Sequence, residues 1–133
     1  TLATKFHWDE ATAARELKML NADTIEEQIP EFAAQLKRRH GPNWKLLLEK
    51  TKHLLLQLGN SNILQIADYA CISTPCLLLR GENDKMISEE ETTAVHKVLP
   101  DAKYISLPNT SHPIERLDLP SVAGIIRKFL LQQ

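Results

Sequence analysis

The chain has 133 residues, 43% of them hydrophobic and 25% charged, a balance that suits one soluble globular unit with a modest apolar core. Lys and Arg number 16 against 17 Asp and Glu, a formal charge of -1, so no long-range field draws the chain to nucleic acid or to an anionic membrane. The longest apolar runs, Leu46 to Leu48, Leu54 to Leu56 and Cys76 to Leu79, are too short to cross a bilayer, and no signal peptide opens the sequence.

The first half reads as helices with clear punctuation. Asp9 caps a helix to about Leu20, with Ala13, Leu17 and Leu20 on one face. Thr24 and Glu27 form a capping box that Pro30 interrupts, so a short turn precedes a helix from Pro30 to Arg39, ended by Gly41. Asn43 opens the most regular helix, with Trp44, Leu47, Thr51, Leu54, Leu55 and Leu58 as its inward stripe before Gly59. A short helix follows from Asn62 to Asp68. Lys37, Arg38, Arg39 and His40, with Trp44 nearby, could form an anion or RNA patch. Cations at a helix C-terminus explain them more simply.

The second half changes period. Pro75 to Arg80 is the short apolar run of a parallel strand covered on both faces. Ser88 with Glu91 is a capping box that opens a helix to Leu99, with Thr92, Val95, Val98 and Leu99 inward. A second strand runs from about Lys103 to Leu107. Pro120 then starts a helix with Val122, Ile125, Ile126, Phe129 and Leu130 on one face. The result is a β-α-β-α unit of a parallel sheet, an α/β class. Two strands leave unpaired edges, so something else should complete the sheet.

In open α/β sheets reactive groups gather at the carboxyl ends of the strands. The loops there are residues 81–87 and 108–115. Adjacent strands lie about 4.8 Å apart, which brings Asp84 and His112 within hydrogen-bond reach of each other if the two strands are neighbours. An Asp beside a His fixes one imidazole tautomer and stabilises the protonated ring, as general base catalysis requires. The plainer readings are a turn-forming Asp84 and a surface His112, with Glu82 and Glu115 as nearby carboxylates that could replace Asp84. No metal or cofactor site is expected. His7, His40, His53 and His96 form no ligand spacing, and Cys71 and Cys76, which fit no redox or zinc pattern, read as buried free thiols of a cytoplasmic protein.

The ordered set is more specific than its parts. A strand, Gly81-x-x-Asp84, a helix, a strand, a loop with Ser111-His112 and a closing amphipathic helix together resemble the last portion of the α/β-hydrolase fold. The resemblance implies that Asp84 follows the seventh strand as the acid and His112 follows the eighth as the general base. It implies that residues 1–70 hold a helical cap, with Thr1 to Thr4 as the tail of the sixth strand, and that residues 71–133 are the C-terminal part of the core. The implied activity is serine-type hydrolysis of an ester or similar acyl bond in a small-molecule substrate.

One element of that pattern is missing. A nucleophile elbow needs glycines flanking its serine, and Gly41, Gly59, Gly81 and Gly124 include no such pair. Nucleophile and oxyanion hole are therefore expected outside this chain, which alone should be inactive. With its opening Thr1-Leu2-Ala3-Thr4, the chain reads as an excised piece that pairs with a missing N-terminal half or self-associates through strand edges. The rival reading is a non-catalytic helical interaction module with a small α/β lobe, in which Asp84 and His112 are incidental.

Overall fold

The structure, a computed structural model, describes residues 1–112 and 117–132. It divides into two compact units, Trp8–Ile63 and the combination of Thr1–His7 with Leu64–Gln133. In sequence, the first unit is thus an insertion into the second.

Residues 8–63 are helical. α1 (Glu10–Leu17) starts where the Asp9 carboxylate accepts from the Thr12 N–H at 2.7 Å, and a 3-10 turn extends it to Leu20. α2 (Ala22–Gln28) is capped by Asn21 rather than Thr24, because the Asn21 side chain already takes the Thr24 N–H at 2.9 Å. α3 (Pro30–His40) begins on a proline, which has no N–H to leave unpaired, and ends at Gly41 in the left-handed region (φ 61°). Its last turn carries Lys37, Arg38, Arg39 and His40 beside the orphan carbonyls. Lys37 and Lys45 both pair with Glu26, at 2.7 and 2.6 Å, and both lie over the Trp44 indole.

α4 (Trp44–Asn60) departs from expectation in two ways. Its inward stripe is Trp44, Leu48, Thr51, Leu55 and Leu58, whereas Leu47 and Leu54 are exposed. Leucine triplets place an apolar side chain on every face, so the packing of Trp44 and Leu48 with Ile25 and Ala33 sets the phase. Gly59 does not end the helix. A Cβ there would stand 2.5 Å from the Ala13 Cβ, so the glycine lets α1 and α4 approach.

The other unit begins with α5 (Ile66–Tyr69), shorter than expected because a reciprocal Gln65 and Asp68 box starts it. β1 (Cys76–Gly81) and β2 (Ala102–Leu107) pair in parallel over six positions, from Cys76 opposite Ala102 to Gly81 opposite Leu107. α6 (Glu89–Val98) joins them, and α7 (Leu119–Leu130) follows. Strand alternation sorts the core. Leu77, Leu79, Ile105 and Leu107 meet Val122, Ile125 and Phe129 of α7, while Cys76, Leu78, Ala102 and Tyr104 meet Val95 and Val98 of α6. Ile126 and Leu130 of α7 are exposed, contrary to the expected stripe. They border an apolar groove that continues over Leu2, Leu77 and Leu79. Along that side Leu2 makes an isolated parallel bridge to Leu79, with the Leu79 N–H donating to the Thr1 carbonyl at 2.9 Å and the Ala3 N–H to the Leu79 carbonyl at 2.8 Å.

Ser88 caps α6 by accepting the Glu91 N–H at 3.1 Å. The Glu91 carboxylate does not complete the box. It takes Lys5 Nζ at 2.7 Å and the Phe6 N–H at 3.1 Å, tying the N-terminal segment to α6. Neither cysteine is buried as expected, since Cys71 is exposed and Cys76 half-buried; both are free. Among the described residues no helix is long and apolar enough to cross a membrane.

Two substitutions test this packing. Gly59→Ala, which helix propensity alone would favour by about 1 kcal/mol, is expected to destabilise by about 1–3 kcal/mol because Ala13 cannot yield; urea unfolding reads the sign. Among the described residues the buried Tyr104 hydroxyl has no hydrogen-bond partner, so Tyr104→Phe is expected to stabilise by about 1 kcal/mol in the same assay.

Candidate functional site

The parallel register ends with Gly81 opposite Leu107, and the two following loops stay in contact. The Glu82 N–H donates to the Leu107 carbonyl and the Asn83 N–H to the Thr110 carbonyl, each at 2.9 Å. This approach demands glycine at position 81, where a Cβ would lie 2.4 Å from the Thr110 carbonyl oxygen. Glu82, a candidate for the carboxylate beside the histidine, instead accepts the Asn109 N–H at 3.0 Å and so braces one loop against the other. Asn109 adopts φ 52°, a conformation asparagine tolerates. Glu115, the other alternative, lies outside the described residues.

Within this frame Asp84 turns back toward the sheet, its N–H donating to the Gly81 carbonyl at 3.1 Å. Its side chain is 2% exposed and fully engaged. Oδ1 accepts the N–H groups of Met86 at 2.8 Å and Ile87 at 3.0 Å, and Oδ2 meets His112 Nδ1 at 3.1 Å. Burial alone would push the carboxyl pKa up. The Ile87 and Met86 amides, and then His112, outweigh it and hold the group below its ordinary value. Asp84 is therefore an anion at neutral pH, and His112 Nδ1 must carry the hydrogen that it receives. This leaves the lone pair of the neutral ring on Nε2, the atom free to take a proton. The imidazole, with its side chain 29% exposed, borders a small depression lined by Leu2, Ala3, Thr110, Ser111 and Leu117. Ala3 holds φ 48° there, a left-handed conformation that costs an alanine roughly 1 kcal/mol.

The structure thus brings together the two residues singled out from sequence. Sequence reading missed Arg80, which is 7% exposed and donates from Nε to the Ile87 carbonyl at 2.8 Å and from Nη2 to the Asp84 carbonyl at 3.0 Å. The only signal was a cation in an otherwise apolar strand. It missed equally the Met86 and Ile87 amides, which no residue type announces. Among the described residues no three His, Cys, Asp or Glu side chains gather as a metal-ligating group.

Three solved structures share this architecture. BpoC of Mycobacterium tuberculosis, described as a non-heme bromoperoxidase, aligns over 98% of this chain and 56% of its own at 18% identity and a TM-score of 0.59. A thermophilic esterase from Thermogutta terrifontis aligns over 98% of this chain and 54% of its own at 20% identity and a TM-score of 0.59. Both carry the α/β-hydrolase fold, and this chain has part of that fold, spanning just over half the length of the solved structures it matches. No family model matches the sequence, and no curated protein does.

Asp84 also predicts a pH dependence. Its folded pKa lies below the unfolded value of about 3.9, so its contribution is complete above that value and is lost as pH falls through the folded pKa. Asp84→Asn is expected to destabilise by about 2 kcal/mol at pH 7, and its unfolding curve should converge on that of the wild type in strong acid.

Proposed function

We propose that this chain is the acid- and base-bearing part of an α/β-hydrolase that cleaves an ester or similar acyl bond in a small molecule. The observation that carries the reading is the 3.1 Å contact between buried Asp84 Oδ2 and His112 Nδ1 at the carboxyl ends of two parallel strands. In this reading His112 Nε2 removes the nucleophile's proton and later returns it to the leaving group. Asp84 fixes the tautomer and stabilises the imidazolium that forms between those steps.

The nucleophile and oxyanion hole come from polypeptide outside this sequence, which holds no Gly-x-Ser-x-Gly. The same polypeptide, or a second copy of the chain, completes the sheet along the Leu2 side, where apolar Leu77, Leu79, Ile126 and Leu130 border a groove. In this reading the helical unit Trp8–Ile63 corresponds to the cap. Its insertion between the Leu2 bridge and β1 supports that role. Two free cysteines suit a reducing compartment, the cytoplasm.

In the complete enzyme, His112→Ala is expected to lower kcat by about a thousandfold with little change in KM. Unchanged hydrolysis by that variant would reject the reading. The chain alone should take no label from a fluorophosphonate probe.

A further inference from the structure

Arg80 is the one charged residue of β1 and is buried at the strand's exit. Among the described residues its guanidinium makes no ion pair. Burying an unpaired cation is costly unless its donors are satisfied, so the two carbonyls it contacts are where that cost is offset. Those carbonyls belong to Asp84 and Ile87. The amides that hold the Asp84 carboxylate belong to Met86 and Ile87, within the same four residues. One short loop therefore presents carbonyls to a buried cation and N–H groups to a buried anion, each charge gripping opposite ends of the local peptide dipoles.

We infer that Arg80 is a positioning residue: by fixing the carbonyls of Asp84 and Ile87 it shapes the amide cradle that aims the Asp84 carboxylate at His112. The inference rests on the hydrolytic reading of the pair and deepens it, because among the described residues the hydrogen bonds of Arg80 go to backbone alone. Guanidinium suits the task through its rigid fork, which reaches two carbonyls at once. A lysine ammonium is a point donor on a flexible stem, and a methionine fills the space while donating nothing.

The test uses the full chain and NMR, with Arg80→Met, Arg80→Lys and Asp84→Asn beside the wild type. Ring 15N shifts report the tautomer of neutral His112, and amide exchange reports the cradle. Wild type is expected to show the Nδ1–H tautomer and slow exchange at Met86 and Ile87. In Arg80→Met these two amides should exchange about tenfold faster, while Leu78 and Val95 stay protected, and the tautomer preference should fall toward that of Asp84→Asn. Arg80→Lys should lie between. A folded Arg80→Met with wild-type tautomer and exchange overturns the inference. So does failure of both Arg80 variants to fold, which would make the arginine a support of the whole unit. A wild type that shows the same tautomer mixture as Asp84→Asn would instead remove the hydrolytic reading of the pair, so the two failures are told apart.

Discussion

The α/β unit depends on the six-residue parallel register between β1 and β2. A slip of one position would exchange the faces of each strand, turning Leu77 and Leu79 away from α7 and Leu78 away from α6. Side-chain burial on both faces therefore locks the register. The register in turn decides which residues leave the strands together, and Gly81 leaves beside Leu107. From that point Asp84 is three residues along one loop and His112 five along the other. The missing side chain at Gly81 lets the Thr110 carbonyl come close enough for the loops to bond to one another. Apolar packing in the sheet is thus converted into the placement of a carboxylate against an imidazole.

Placement alone would not keep the carboxylate charged. Taking an anion from water is unfavourable by several kcal/mol unless dipoles replace the water. Here the replacement is local and fixed: two amides on one oxygen and the imidazole on the other. An ordered backbone loses little when it solvates a charge, because it is held by the fold before the charge arrives. A half-exposed carboxylate on a mobile loop would bind the ring in many orientations and fix none of its tautomers.

Much of this was legible in the sequence, and what was not has a common physical origin. Helix caps at Asp9 and Ser88, the glycine at position 41 and the apolar run of β1 announce themselves through local chemistry, and local chemistry is what periodicity reads. Asp84 and His112 could be paired because parallel strands deliver their loops to one rim. The failures are long-range. Gly59 resembles a helix end until Ala13, 46 residues earlier, is seen against it. Glu91 resembles half of a capping box until Lys5 and Phe6 arrive from more than 80 residues away. The leucines of α4 fit two phases equally, and only the docking of Trp44 on Ile25 and Ala33 separates them. Arg80 stood out only as a cation at the end of an apolar run, and its buried partners are backbone atoms, to which residue identity gives no clue.

The incomplete sheet bears unequally on the two things this unit must do. Its stability suffers, since among the described residues one side of β1 is met only by the short stretch around Leu2 and apolar side chains of α7 stand in an open groove. The geometry of the pair does not suffer in the same way. Among the described residues, every hydrogen bond that orients Asp84 and His112 comes from β1, β2 or the loops that follow them, and the two strands pair over all six of their positions. Further strands would lie beyond Leu2, on the far side of β1 from β2. They would bury the groove and raise the free energy of unfolding without entering the hydrogen bonds that aim the imidazole. A carboxylate and imidazole pair built this way is a property of one β-α-β unit, with its tautomer set by the elements that hold it.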